Sequence, residues 1–161
     1  MRLGVVSDTH GEMRFARPAV DLLETLNVDL VIHCGDIGDE SIIRLFDRWP
    51  AHFVFGNVDG NAQRLRTAIE AAGQTCHEMF GSLVCEGKKI AFLHSHDTQR
   101  FRETIDSGEW DLVCYGHTHI AEQHLVGKTL VLNPGAIYRA NPHSIATVEL
   151  PSLQATIHPL D

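Results

Sequence analysis

Three short apolar runs, each followed by a stretch of helical spacing, limit the folds open to the first half of this chain. They are Leu3-Gly4-Val5-Val6, Leu30-Val31-Ile32 and His52-Phe53-Val54-Phe55. Residues 15–26 carry Ala19, Leu22, Leu23 and Leu26 on one helical face, and residues 39–48 carry Ile42, Ile43 and Phe46. A third helical stretch covers 61–72 and stops near Gly73. This alternation predicts parallel strands joined by right-handed crossovers. Sheets of that kind bind ligands beyond the carboxyl ends of their strands. At those ends stand Ser7-Asp8-Thr9-His10-Gly11, His33-Cys34-Gly35-Asp36 and Gly56-Asn57-Val58-Asp59.

The second half reads differently. Ser82–Cys85 and Lys89–Leu93 flank Glu86-Gly87-Lys88 as a hairpin. The second of these strands ends in His94-Ser95-His96-Asp97, and a helix follows at 98–107. Asp111–Tyr115 is a further apolar strand, ending in Gly116-His117-Thr118-His119. His119–Val126 with Thr129–Asn133, and Ser144–Leu150 with Gln154–His158, predict two more hairpins. The expected fold class is therefore α/β, with two packed sheets and helices outside. No linker, repeat or composition shift divides residues 1–161, so we expect a single domain.

Composition narrows the function classes. The net charge of −8 opposes a protein whose main task is coating nucleic acid or an anionic membrane. No apolar run approaches the length of a membrane span. The four cysteines form no Cys-x-x-Cys pair, and Cys34 and Cys114 lie inside apolar runs, which suits reduced thiols and a cytoplasmic setting. The first strand begins almost at Met1, which leaves no room for a signal peptide. Histidine is in excess: there are 11, against 2 Trp, 2 Tyr and 3 Met, and four of them fall at strand ends.

Five strand ends thus carry potential metal ligands: Asp8 and His10, Asp36, Asn57, His94, and His117 with His119. Any one histidine after a strand is most simply a core or capping residue. Five together point to a shared metal site. Residues i and i+2 of an extended segment face the same side, so His117 and His119 can serve one ion or two neighbouring ions.

In this order the motifs Asp8-x-His10, Gly35-Asp36, Gly56-Asn57, His94 and Gly116-His117-x-His119 resemble the calcineurin-like metallophosphoesterases. The resemblance spans the chain. The short length and Asn133-Pro134-Gly135-Ala136 match the small bacterial and archaeal phosphodiesterase branch, whose fold the retromer scaffold subunit shares. It implies a four-layer αββα sandwich and a dinuclear centre. Asp8, His10, Asp36 and His119 would hold the first metal; Asp36, Asn57, His94 and His117 would hold the second, with Asp36 bridging. The all-N/O donor set favours manganese first, with iron, zinc, nickel or magnesium as alternatives. The implied reaction is hydrolysis of a small phosphodiester by a hydroxide shared between the metals. Two divalent ions less the charges of Asp8 and Asp36 leave a charge that suits hydroxide plus a singly charged diester. A phosphomonoesterase, a nuclease and a non-catalytic scaffold of the same fold are the competing readings.

The chain departs from the broad superfamily at Val58, where a histidine would stabilise the transition state or protonate the leaving group. His96, two residues from His94, is the in-sequence substitute for that role, with a surface histidine as the alternative. Asp59 would normally orient the missing histidine; propensity instead favours it as the N-cap of the helix at 61–72. Arg14 and Arg139 are candidates to contact substrate phosphate. His33 is read as packed beside the sheet, His52, His77, His143 and His158 as surface or strand-edge residues, and His124 as at most a support behind the metal ligands. Phe46, Trp49 and Pro50 are read first as core and second as a homo-oligomer contact.

Overall fold

The computed structural model describes all residues, 1–161. Its first half alternates as expected: β1 (Arg2–Val6), α1 (Met13–Thr25), β2 (Leu30–His33), α2 (Glu40–Ile43), β3 (Ala51–Phe53) and α3 (Ala62–Ala71). A two-residue strand, β4 (Thr75–Cys76), follows. The second half comprises β5 (Phe80–Cys85), β6 (Lys88–His94), α4 (Thr98–Asp106), β7 (Leu112–Gly116), β8 (Glu122–Val126), β9 (Thr129–Asn133), β10 (Ser144–Glu149) and β11 (Gln154–Pro159).

Two mixed sheets result, ordered β11-β10-β1-β2-β3-β4 and β5-β6-β7-β9-β8. β1 to β4 run parallel, and β10 joins β1 antiparallel. The period of two along each strand decides what faces what. On β1, Leu3 and Val5 point to the second sheet, where they meet Ile90, Phe92, Leu112 and Cys114. Val6 points the other way, into a larger core with Ala19 and Leu23 of α1, Ile42 of α2 and Leu65 of α3. The outer face of the second sheet, with Leu93, Val113 and Tyr115, is covered by Phe101 and Ile105 of α4. This is the four-layer αββα sandwich. No helix is long and apolar enough to cross a membrane.

The helix expected over 39–48 is shorter. Four α-helical residues give way to a 3-10 turn at Arg44–Phe46. The tighter turn repeats every three residues, which puts Ile43, Phe46 and Trp49 on one side; all three are buried in the core. That settles the Phe46-Trp49 group as core packing rather than a free surface. β4 was not visible in the sequence because two residues carry no period. His52 and His77, read as surface or strand-edge histidines, lie on β3 and directly after β4 and form a half-buried hydrogen-bonded pair 2.9 Å apart, with His77 packed on Phe92. His143 pairs with Asp161, and His158 with the Thr147 hydroxyl.

His33, at the end of β2, is fully buried. The Gly35 N–H donates to its Nδ1, so Nε2 carries the proton and donates to Thr9 Oγ1, which in turn donates to the Ile37 carbonyl. The imidazole thus ties the loop after β1 to the loop after β2. Burial pushes its pKa down to about 4. The unfolded chain takes up this proton below about pH 6.5 and the folded chain does not. The stability His33 supplies is therefore complete above pH 6.5 and is lost as pH falls towards 4. We expect the wild type to lose about 3 kcal/mol relative to His33→Gln between pH 7 and pH 4. Urea denaturation at the two pH values measures this, and equal losses in both proteins would refute it.

Candidate metal centre

Every residue singled out at a strand end lies at the carboxyl edges of β1, β2, β3, β6 and β7. Asp8, His10 and His119 each offer a ligand atom within 4.8 Å of the others, and Asp36, His94 and His117 form a second such group. Two clustered Asp/His groups of this kind suggest a dinuclear metal site. Asn57 joins the second group, with Oδ1 3.1 Å from His94 Nε2. The groups share a boundary at Asp36, whose Oδ2 lies 3.3 Å from His94 Nε2 and 3.5 Å from His10 Nε2.

The backbone is bent to achieve this. Asp8, His10, Asp36, His117 and His119 all have positive φ, between 48° and 94°. L-residues avoid that region, at a cost of roughly 1–3 kcal/mol each. Packing between strand ends holds them there. Gly56 and Gly116 permit the close approach: a Cβ on Gly56 would lie 2.1 Å from Asp36 Oδ1, and one on Gly116 would lie 1.9 Å from Ser7 Oγ.

Four of these side chains, those of Asp8, Asp36, His94 and His119, are oriented through their far atoms. Asp8 Oδ2 accepts from the Ser7 hydroxyl at 2.6 Å and from the His117 N–H at 3.1 Å, leaving Oδ1 towards the centre. Asp36 Oδ1 accepts from the Val58 N–H, leaving Oδ2. His94 Nδ1–H donates to the Cys34 carbonyl, and His119 Nδ1–H donates to the Arg139 carbonyl. Both rings therefore turn an Nε2 lone pair inwards, as metal-binding imidazoles do. The His94 lone pair then faces Asn57 Oδ1 and Asp36 Oδ2, three acceptors with no donor among them. Asp8 Oδ1 and His10 Nε2 are buried without a hydrogen-bond partner. Buried acceptors in this state need a cation, so these residues fit divalent metal.

The electrostatics agree. Without metal, burial pushes the Asp8 carboxyl up, but the His10 ring 3.6 Å from Oδ1, a protonated His94 and the Ser7 and His117 hydrogen bonds outweigh it and hold it at about 2. Asp36 is also lowered, its burial overcome by His94 and the Val58 N–H. Burial lowers His94, but the two carboxylates raise it further, so without metal it competes for a proton.

Other expectations fare differently. His96 has a buried, unpartnered Nδ1, and its ring lies 5.4 Å from that of His94 and 6.2 Å from that of His117. It sits at the second group, not on the open surface. Arg14 and Arg139 are exposed, each over an aromatic ring, Phe15 at 5.6 Å and Tyr138 at 5.2 Å, and only Arg139 is tied to the first group, through its carbonyl to His119. His124 lies on exposed β8, outside both groups. Asp59 is not a helix cap; the N-cap of α3 is Asn61, with no side-chain bond. Its buried carboxylate accepts N–H bonds from Ile37, Gly38 and Gly56, clamping the Asp36 loop to the Asn57 loop.

Three supports escaped sequence reasoning. Ser95 Oγ donates to the Gly116 carbonyl and ties β6 to β7. Buried Asn133 donates to Thr118 Oγ1 and accepts from the Gly135 N–H, bracing the His119 loop. The Tyr138 N–H donates to the Asp8 carbonyl, placing its ring 5.7 Å from that of His10. The Asn133-Pro134-Gly135 turn was the one available signal.

A family model described as the calcineurin-like phosphoesterase superfamily domain matches residues 1–154. The chain is 33% identical over 138 residues to phosphodiesterase MJ0936 of Methanocaldococcus jannaschii, covering 84% of this chain and 83% of that protein. A solved structure of a novel archaeal phosphodiesterase superposes with a TM-score of 0.90 at 28% identity, covering 99% of both chains. Vps29 of Chaetomium thermophilum shares the fold, with a TM-score of 0.72 at 13% identity over 98% of this chain and 95% of that one.

Proposed function

The chain belongs to the calcineurin-like phosphoesterase superfamily and is a metal-dependent phosphoesterase; from that premise we propose that it is a phosphodiesterase acting on small diesters. The observation that carries this reading is the position of Asp36 Oδ2 between His10 Nε2 and His94 Nε2, one from each group. In our assignment Asp8, His10, Asp36 and His119 hold one ion, and Asp36, Asn57, His94 and His117 hold the other. Two divalent ions so held supply a water of lowered pKa and polarise the phosphoryl oxygen. Manganese suits the donor set, with iron, zinc, nickel or magnesium as alternatives.

The chain's own groups do the rest. Asp8 and Asp36, ionised well below neutral pH, keep the inner charge low enough to release product. Ser7, Cys34, Val58 and Arg139 fix the ligand orientations through the bonds described above, so little reorganisation is needed during reaction. His96 faces the second group with a free ring nitrogen and serves as the proton donor to the departing oxygen. MJ0936 is named a phosphodiesterase, which supports the diester over the monoester. A net charge of −8 disfavours a polymeric nucleic acid as substrate. A scaffold would have no need of seven converging polar side chains, five of them at strained backbone positions.

The test is to strip the protein with chelator, restore Mn²⁺, and compare an aryl phosphodiester with the matching monoester. We expect metal-dependent cleavage, faster on the diester. No metal-dependent cleavage of either would refute the enzymatic reading, and a faster monoester would reverse the order.

A further inference from the structure

Beside the first metal group runs a strip of aromatic rings that the hydrolytic chemistry does not use. It begins at Tyr138, 5.7 Å from the His10 ring. Phe15 follows at 5.6 Å from Tyr138, and His143 at 4.9 Å from Phe15. All three are half-buried, so each is held by packing yet shows part of its ring to solvent. We propose that this strip stacks a nucleobase, so that the substrate class is a nucleotide-type phosphodiester; the proposal rests on the phosphodiesterase reading of the adjoining site.

Position is the first argument. The strip is in fixed register with the metal ligands. The Tyr138 N–H donates to the Asp8 carbonyl at 3.0 Å, and the Arg139 carbonyl holds His119 Nδ1. The same loop that aims a ligand therefore presents the first ring. Phe15 lies in the first turn and a half of α1, directly after the loop carrying His10.

Chemistry is the second. Arg14 lies over Phe15 and Arg139 over Tyr138. These two exposed cations give the strip a positive edge that suits a phosphate-bearing ligand. Beyond Phe15 the strip opens into a hollow of about 220 Å³ lined by Phe15, Pro18, His143, Leu160 and Asp161. Its lining is largely apolar and includes one side-chain carboxylate, that of Asp161, held by the His143 N–H at 2.9 Å. That carboxylate is also paired with His143 Nδ1, at 3.2 and 3.3 Å from its two oxygens, and its charge repels a second phosphate. A glycerol or sugar substituent would find rings where it needs hydrogen-bond partners. A nucleobase offers the flat apolar face that such rings stack on, and stacking of this kind tolerates any base.

Calorimetric titration of the Mn²⁺-loaded protein with adenosine 5′-phosphate and with ribose 5-phosphate tests this, because the two differ only in the base. We expect the adenosine compound to bind about tenfold more tightly. Tyr138→Leu and Phe15→Leu should each shrink that ratio severalfold, and Tyr138→Phe should keep it. Equal affinity of the two compounds in the wild type, or a ratio unmoved in both leucine variants, overturns the proposal; should one variant not fold, the other and the wild-type ratio still decide. Hydrolysis of an aryl diester by the same preparation is read separately. Hydrolysis without base preference refutes the strip alone, and base preference without hydrolysis refutes the enzymatic reading alone.

Discussion

Asp36→Ala is expected to abolish hydrolysis and to prevent the binding of two ions. Oδ2 of this residue is the one acidic atom within 3.5 Å of imidazole nitrogens from both groups. Its loss takes away a shared ligand and one of the two negative charges that offset the ions. The remaining residues, Asp8, His10 and His119, still form one three-ligand group. One ion should therefore persist, weakly, while the arrangement that activates water and polarises phosphate between two ions is gone. We expect kcat/KM on an aryl diester to fall by at least ~10³-fold, the scale of removing a principal source of transition-state charge stabilisation. Metal content after gel filtration should drop from two ions per chain to one or none. The fold should survive, because Asp8 and Asp36 repel one another without metal and the loop is clamped independently by Asp59. Metal-dependent thermal stabilisation, which follows from ligand binding to the folded state alone, should shrink in step. A folded Asp36→Ala protein that retains two ions would show that the bridging assignment is wrong.

How far the site could be read in advance depended on which physical rule governed each residue. Asp8, His10, Asp36, Asn57, His94, His117 and His119 follow apolar runs, and strand direction brings such ends to one edge of a sheet. Local pattern and topology agree there, so the convergence was legible. Asp59 was not. A carboxylate before a helix and a carboxylate clamping a distant loop look alike in sequence; what distinguishes them is that Ile37 and Gly38, more than twenty residues away, present free N–H groups beneath it. His33 was legible as a packed residue, and it is buried against Phe53, but the bonds it makes were not legible, for a similar reason. Its role depends on Thr9 and Gly35 lying on either side of it, which is a fact of β1–β2 pairing. Tyr138 stands in a loop with no period to read, and one backbone hydrogen bond to Asp8 brings it to the site. The positive φ values of five site residues were unreadable too, because tertiary packing rather than glycine imposes them.

Val58 separates the identity of the proton donor from everything else at the site. Its N–H serves Asp36, and its side chain is 43% exposed at the rim, next to Asn57. Val58→His would place an imidazole where the broader superfamily has one. Asp59 cannot orient it without giving up its bonds to Ile37, Gly38 and Gly56. The gain should therefore stay below the 10²–10⁴-fold of a well-placed acid, at about tenfold. It should also depend on the leaving group. A p-nitrophenolate departs without a proton, whereas an alkoxide needs one. We expect Val58→His to raise kcat about tenfold on a dialkyl diester and to change the p-nitrophenyl ester by no more than about twofold. His96→Ala should do the reverse, lowering dialkyl turnover by about a hundredfold and aryl turnover far less. Steady-state kinetics on the two esters, at saturating metal, checks both. If His96→Ala slows the two esters equally, His96 positions phosphate rather than donating a proton. If it slows neither, His96 is not the proton donor.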